Sequence, residues 1–170
     1  MDTQPATIYG ESSWTISSPH VTASVSQRGG MMAPVRFTLP AGSTVEPYYI
    51  NPWWNEDTSA IEPALLRPLR GDFFCLPFGA PNERGDEQHE PHGLAASGVW
   101  NRVETGCGPD RLEAVITYRD GRGRITKRIR LAADTPALYT EHLVEGFAGR
   151  YPLGHHATLQ GAQPDEEASE

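Results

Sequence analysis

Residues 111–131, RLEAVITYRDGRGRITKRIRL, predict two antiparallel strands joined by a tight turn. Arg111 to Tyr118 and Arg124 to Leu131 have the composition of β-strands, and Asp120-Gly121 between them is a strong hairpin signal. The second strand holds much of the chain's positive charge, at Arg124, Lys127, Arg128 and Arg130. We therefore expect this strand to present a solvated face of an antiparallel sheet.

Short runs of the same character continue through most of the chain. His20 to Ser26 is the clearest, because Val21, Ala23 and Val25 recur with the two-residue period of a half-buried strand. Ser59 to Leu66 is the only predicted helix, and prolines limit it to a turn or two. The remaining predicted strands are Ser13 to Ser17, Met31 to Leu39, Val45 to Ile50, Phe73 to Phe78, Leu94 to Thr105, Ala137 to Glu145 and Leu153 to Gln160.

Many short strands separated by turns predict an all-β fold, an antiparallel β-sandwich. The 17 Gly and 15 Pro support this prediction, since these residues favour turns over long helices. We expect a single sandwich domain over residues 13–160. Residues 1–12 are expected to be a loose polar leader, and residues 161–170 an acidic tail.

Charge and hydropathy exclude several classes of partner. The formal net charge of -8 argues against nucleic acid and anionic membranes. The chain has no apolar run of about 18 residues, and its start lacks the basic and apolar regions of a secretory signal. Cys75 and Cys107 have no metal-binding spacing and are expected to be free thiols, which fits a cytoplasmic protein.

Arg70 and Asp72 stand at the mouth of the apolar run that begins at Phe73. Two charged groups in such a place are costly to bury unless they are paired or bound to a ligand. The planar guanidinium of Arg70 is suited to sugar hydroxyls or carboxylates. A surface ion pair between Arg70 and Asp72 is the alternative, and it would contribute little.

Two further places contain neighbouring histidines. His89 and His92 have the H-x-x-H spacing of metal ligands on a helix, but Pro91 argues against a helix there. The remaining roles for these loop histidines are proton transfer or simple solvation. His155 and His156 enter a predicted strand. Since adjacent strand residues point to opposite faces, only one of the two can face a given pocket.

Taken in order, these three places resemble motifs of the galactose mutarotase-like family, which includes the aldose 1-epimerases. That family has an Arg-Gly segment leading into an apolar strand that ends in Pro-x-Gly, and residues 70–79 read RGDFFCLPFG. It then has a His-Gly pair followed by a Trp, here His92-Gly93 and Trp100, and later a His at a strand start, here in residues 152–156, PLGHH. The resemblance covers about Trp14 to Gln160.

The resemblance implies a role for each matching residue. His156 would be the general acid on the sugar ring oxygen, and His92 would contact the sugar at the catalytic centre. Substrate would also be bound by side chains that the resemblance places around the pocket: Arg70, Asp72, His155, Phe78 and Trp100. Asp72 stands where the family has Gly, which indicates a divergent subgroup. No metal or other cofactor is expected.

The implied reaction is the interconversion of α and β anomers of an aldose by acid/base ring opening. The family's base is a Glu in the C-terminal half, and no residue here matches it, since the late carboxylates lie in the tail directly after the histidines. The chain would supply about half of the family's sandwich. We therefore expect a fragment, a smaller sandwich or a homodimer.

Two other functions stay open at this point. One is a non-catalytic carbohydrate-binding sandwich or a truncated, inactive fragment, which the missing base favours. The other is a metal-dependent sandwich enzyme that uses His89, His92, His155 and His156. Strand alternation and Pro91 work against a metal site shared by these four.

Overall fold

The computed structural model describes residues 4–81, 89–108 and 111–161. In these ranges it contains eleven β-strands and two short 3-10 helices, Ala64–Leu66 and Leu94–Ala96, and no α-helix. The strands are β1 (Ala6–Ile8), β2 (Glu11–Ser17), β3 (Val21–Ser26), β4 (Met32–Thr38), β5 (Thr44–Val45), β6 (Asp72–Cys75), β7 (Asn101–Gly108), β8 (Arg111–Arg119), β9 (Arg124–Ala132), β10 (Leu138–Glu145) and β11 (Gly154–Ala157).

The strands form two antiparallel sheets, which confirms the predicted all-β sandwich. The first sheet has the order β1-β2-β3-β4-β6-β11, with β5 paired to β4. The second sheet has the order β10-β9-β8-β7. Most neighbours are consecutive in the chain, as in hairpin-linked sheets, whereas β6 and β11 reach the first sheet from distant segments.

The predicted hairpin forms between β8 and β9, with Arg119 paired to Arg124. Its turn is stabilised by the side chain of Asp120, whose Oδ1 accepts hydrogen bonds from the backbone N–H groups of Arg122 and Gly123 at 2.7 and 3.1 Å. An Asp side chain that caps its own turn explains why this short sequence signal was reliable.

The main core lies between the two sheets. Trp14, Val25 and Val35 of the first sheet pack in one buried cluster with Ile116 and Ile129 of the second. A smaller cluster on the opposite face of the first sheet is formed by buried residues of strands and loops: Met31, Leu65, Phe73, Cys75 and Ala96. β6 is therefore buried on both faces, which accounts for the apolar run that follows Asp72 in this strand.

Lys127 corrects the expectation that all the charges of β9 lie on a solvated face. Its side chain is fully buried, on the same inward row as Ile125, Ile129 and Leu131. The two-residue period of the strand requires this placement, because odd-numbered residues of β9 point toward the core. The Nζ of Lys127 donates a hydrogen bond to the carbonyl of Gly30 at 2.9 Å.

Several predicted boundaries are wrong. Residues 6–12 are not a loose leader, since Ala6–Ile8 pairs with Glu11–Ser13 at the edge of the first sheet. The predicted helix is reduced to Ala64–Leu66, and of the strand predicted at residues 45–50 only Val45 lies in β5. The strand predicted from Leu94 begins at Asn101, after the second 3-10 helix.

The acidic tail, apart from Gly161, lies outside the described residues. Within the described ranges, the chain has no helix of the length and hydropathy needed to cross a membrane.

Candidate functional site

The candidate site is built on the pairing of β6 with β11. These two four-residue strands are antiparallel, with His155 opposite Phe74 and His156 opposite Phe73. Directly opposed residues share a face and consecutive residues alternate. His155 therefore lies on the face of Phe74, toward the second sheet, and His156 lies on the face of Phe73, away from it.

The face away from the second sheet carries an aromatic group that we name the loop-side cluster: Phe73, Phe78, His92 and His156. The ring centroids of His92 and His156 are 4.9 Å apart. The His156 ring stacks on Phe73 at 5.0 Å, and the edge of His92 meets Phe78 at 5.1 Å. The structure thus brings together both predicted catalytic histidines and one predicted sugar-wall residue.

The loop around Gly79 fixes the position of His92. The backbone N–H of His92 donates to the carbonyl of Gly79 at 2.8 Å. The Nδ1 atom of His92 accepts a long hydrogen bond of 3.4 Å from the N–H of Gly79. With Nδ1 as acceptor, the neutral ring carries its hydrogen on Nε2. Burial, and then the proximity of His156, lower the pKa of His92 and favour this neutral form.

The backbone at His92-Gly93 is strained. His92 has a φ of 60° and Gly93 a φ of 77°, both in the left-handed region. A Cβ at Gly93 would lie 2.0 Å from the carbonyl oxygen of Leu76, so only glycine fits there. Gly93 is thus a structural requirement of this loop, and a positive φ at a residue other than glycine, as at His92, is often found at functional sites.

His156 is held in the cluster by contacts with the rings of Phe73, Phe78 and His92. Its ring also lies 6.3 Å from Phe78, in a stacked orientation. Its Nδ1 is buried and has no hydrogen-bond partner within the described ranges. Buried polar atoms normally have partners, so this nitrogen distinguishes His156 from an ordinary packed histidine.

The opposite face carries a second polar group, which we name the inter-sheet cluster: Asp72, His142 and His155. Nδ1 of His155 donates to Oδ2 of Asp72 at 2.8 Å. His142, on β10 of the second sheet, stacks on Phe74 at 4.2 Å and meets the ring of His155 at 4.8 Å. Asp72 and His155 were predicted as substrate-binding residues, and they face away from the loop-side cluster.

Burial shifts the protonation of two groups at the inter-sheet face. It lowers the pKa of His142 to about 2, with further contributions from Lys127 and His155. It also lowers the pKa of Lys127 to about 8, although the charge of Asp72 opposes this shift. His142 is therefore an uncharged imidazole at neutral pH.

The structure places Arg70 and Trp100 outside both clusters. Arg70 is 1% exposed and donates three hydrogen bonds of 2.8–3.0 Å to the carbonyls of Pro68, Ile8 and Tyr9. Its guanidinium is thus engaged with backbone carbonyls in the interior and is not part of a surface ion pair with Asp72. Trp100 is fully buried and donates its indole N–H to the carbonyl of Ala95 at 2.9 Å, so it belongs to the core.

No group of three or more His, Cys, Asp or Glu side chains is placed to hold a metal ion, as far as the described residues extend. Nδ1 of His89 lies 2.8 Å from the carbonyl oxygen of its neighbour Glu90. Residue 87 of the predicted histidine loop lies outside the described residues.

Neither His142 nor Lys127 was predicted to be part of a site. Each of these residues occupies an inward position of a strand with alternating burial. A polar residue in an apolar row needs a partner, so this alternation was the sequence signal that could have identified both residues.

Comparisons of the chain with models of protein families, with curated proteins and with solved structures found no match. The function of the two clusters has therefore to be inferred from their geometry and chemistry.

Proposed function

We propose that the chain binds an aldose at the loop-side cluster and accelerates the interconversion of its α and β anomers, in the manner of an aldose 1-epimerase. The observation that supports this proposal best is the pair of imidazoles 4.9 Å apart, bordered by Phe78, which is 38% exposed. An exposed aromatic ring beside hydrogen-bonding side chains is a suitable surface for the apolar face of a sugar.

The chemistry assigns a separate task to each histidine. His156, when protonated, gives a proton to the ring oxygen as the bond from that oxygen to the anomeric carbon breaks. The proton of the anomeric hydroxyl passes to solvent water, and the open-chain aldehyde forms. Rotation of the aldehyde followed by the reverse steps closes the ring on the other face. His92, neutral with its hydrogen on Nε2, donates a hydrogen bond to a sugar oxygen.

A second candidate function is carbohydrate binding without catalysis. The bond from Gly79 N–H to Nδ1 of His92 makes the neutral His92 a donor and not a base. The contacts found for His92 and His156 among the described residues are aromatic rings and the backbone of Gly79, and none of these contacts is a carboxylate. This arrangement favours holding sugar oxygens over removing a proton.

Anomer exchange of glucose and galactose, followed by NMR, tests both candidates. We expect the chain to accelerate exchange, and His156→Ala to reduce this acceleration by about 100-fold, within the usual range for general acid catalysis. His20→Ala is the matched control, because His20 lies between β2 and β3, away from the cluster.

The possible results separate the two functions. Acceleration that disappears in His156→Ala but persists in His20→Ala supports the epimerase. Saturable binding of either sugar to the unmodified chain without acceleration supports the binding module. A folded chain that neither binds these sugars nor accelerates their exchange overturns both.

A further inference from the structure

The inter-sheet cluster is a second group of polar side chains that the proposed reaction does not use. Asp72 and His155 are contributed by neighbouring strands of the first sheet, and His142 by β10 of the second. Phe73 and Phe74 separate this cluster from the loop-side cluster, since consecutive residues of β6 face opposite sides. A ligand at one cluster therefore does not contact the other.

Asp72 prepares His155 to interact with a ligand. The Asp72 side chain is 7% exposed, whereas that of His155 is 39% exposed, and the two are joined by the 2.8 Å bond at Nδ1. A carboxylate in this position fixes the tautomer and orientation of an imidazole. With its hydrogen on Nδ1, the neutral ring offers Nε2 as an acceptor for a hydroxyl group.

His142 has a hydrogen-bonding atom without a partner. Its Nε2 is buried and makes no hydrogen bond within the described part of the chain, and its ring centroid is 4.8 Å from that of His155. Leaving such an atom unpaired is unfavourable, so a ligand group that bonds to it is stabilised. The partly exposed ring of His155 therefore lies beside a buried imidazole nitrogen of His142 that lacks a partner among the described residues.

The charges around the cluster favour an uncharged ligand. The Asp72 carboxylate opposes an approaching anion, and the buried Lys127, which interacts electrostatically with both Asp72 and His142, opposes a cation. Lys127 is occupied by its bond to the carbonyl of Gly30. Hydroxyl groups match imidazole nitrogens without carrying charge, because each hydroxyl can both donate and accept a hydrogen bond.

We propose that Asp72, His155 and His142 form a second binding site, which takes a small neutral polyhydroxy compound. One hydroxyl donates to Nε2 of His155 while Asp72 holds Nδ1, and an adjacent hydroxyl pairs with Nε2 of His142. This site is independent of the proposed sugar chemistry at His92 and His156, and it stands whether or not that chemistry is found.

NMR of the ring nitrogens in the full chain, labelled with ¹⁵N-histidine, tests the proposal. Glycerol is the probe, glycerol 3-phosphate is its charged counterpart, and His20 is the internal reference. We expect glycerol to give saturable shifts at His142 and His155, with a much weaker response to the phosphate. His142→Phe retains a ring against Phe74 and should weaken glycerol binding about tenfold, or about 1.4 kcal/mol.

Two results would overturn the proposal. One is the absence of saturable glycerol shifts at His142 and His155 in the folded, unmodified chain. The other is a response confined to His92 and His156, which would place the polyol at the loop-side cluster. These readouts do not depend on whether His142→Phe folds. His156→Ala is expected to leave the glycerol shifts at His155 unchanged, so failure of the epimerase proposal remains distinguishable from failure of this one.

Discussion

The side chain of Asp72 lies 2.8 Å from Nδ1 of His155, on the face of β6 and β11 that is turned toward the second sheet. His156, the next residue, lies on the other face and stacks on Phe73. Two adjacent histidines therefore belong to two different chemical environments. Changes to His155 and to His156 are accordingly expected to have separable effects.

The stability of the chain should decrease as the pH is lowered from about 7 toward 5 because of His142. Its ordinary pKa of 6.5 falls to about 2 in the folded chain. Between these values the unfolded chain binds a proton that the folded chain does not, so acid favours unfolding. This residue should change the free energy of unfolding by at most about 1.4 kcal/mol per pH unit.

Urea unfolding of the chain and of His142→Phe across this pH range measures the effect. His142→Phe removes the titrating group and should flatten the pH dependence of the free energy of unfolding. An equally steep dependence in both proteins would show that His142 is not responsible.

Arg70→Met should loosen the N-terminal strand. The substitution removes the donors that hold the carbonyls of Ile8 and Tyr9, and we expect the free energy of unfolding to fall by about 3 kcal/mol. Amide hydrogen exchange of residues 6–8 should become faster than that of the second sheet. Arg36→Met is the matched control, because Arg36 pairs with Glu46 at the surface and should contribute at most about 1 kcal/mol. Equal losses in the two variants would refute this role of Arg70.

Trp100 and Phe78 were both predicted to form a sugar wall. We now expect substitution of Trp100 mainly to lower the stability, and substitution of Phe78 mainly to weaken sugar binding. Trp100→Ala removes a fully buried ring and should cost about 3–5 kcal/mol of stability. Phe78→Ala, at a side chain that is 38% exposed, should cost about 1 kcal/mol and mainly weaken sugar binding. Urea unfolding together with a sugar titration checks both, and a stable Trp100→Ala with impaired sugar binding would reverse the assignment.

Gly93→Ala should displace His92. The added Cβ would meet the carbonyl of Leu76 at 2.0 Å in a backbone with positive φ, so the loop has to move. We expect the free energy of unfolding to fall by several kcal/mol. If the chain still folds, we expect a shifted His92 ring signal in NMR. Gly121→Ala is the control, because nothing lies within 4 Å of its added Cβ. An unchanged His92 signal and full stability in Gly93→Ala would contradict the strained loop.

The strands and their facing residues followed largely from local sequence. Alternation identified β3, and Asp120-Gly121 located the hairpin because the Asp side chain bonds to the turn itself. The opposite faces of His155 and His156 also followed, since strand geometry fixes that alternation. Such features depend on residues that are a few positions apart.

Only the tertiary structure decided which partners these residues meet. Arg70 bonds to carbonyls 61 and 62 positions away, Lys127 to one 97 positions away, and Asp72 to a histidine 83 positions away. A guanidinium suits a sugar or a backbone carbonyl equally well, so its residue type does not select between them. The amino-acid order determined the strands, the turn and the alternating faces, because these features are local. The two clusters were assembled from distant segments, because they depend on the pairing of β6 with β11 and on the packing of β10 against these strands.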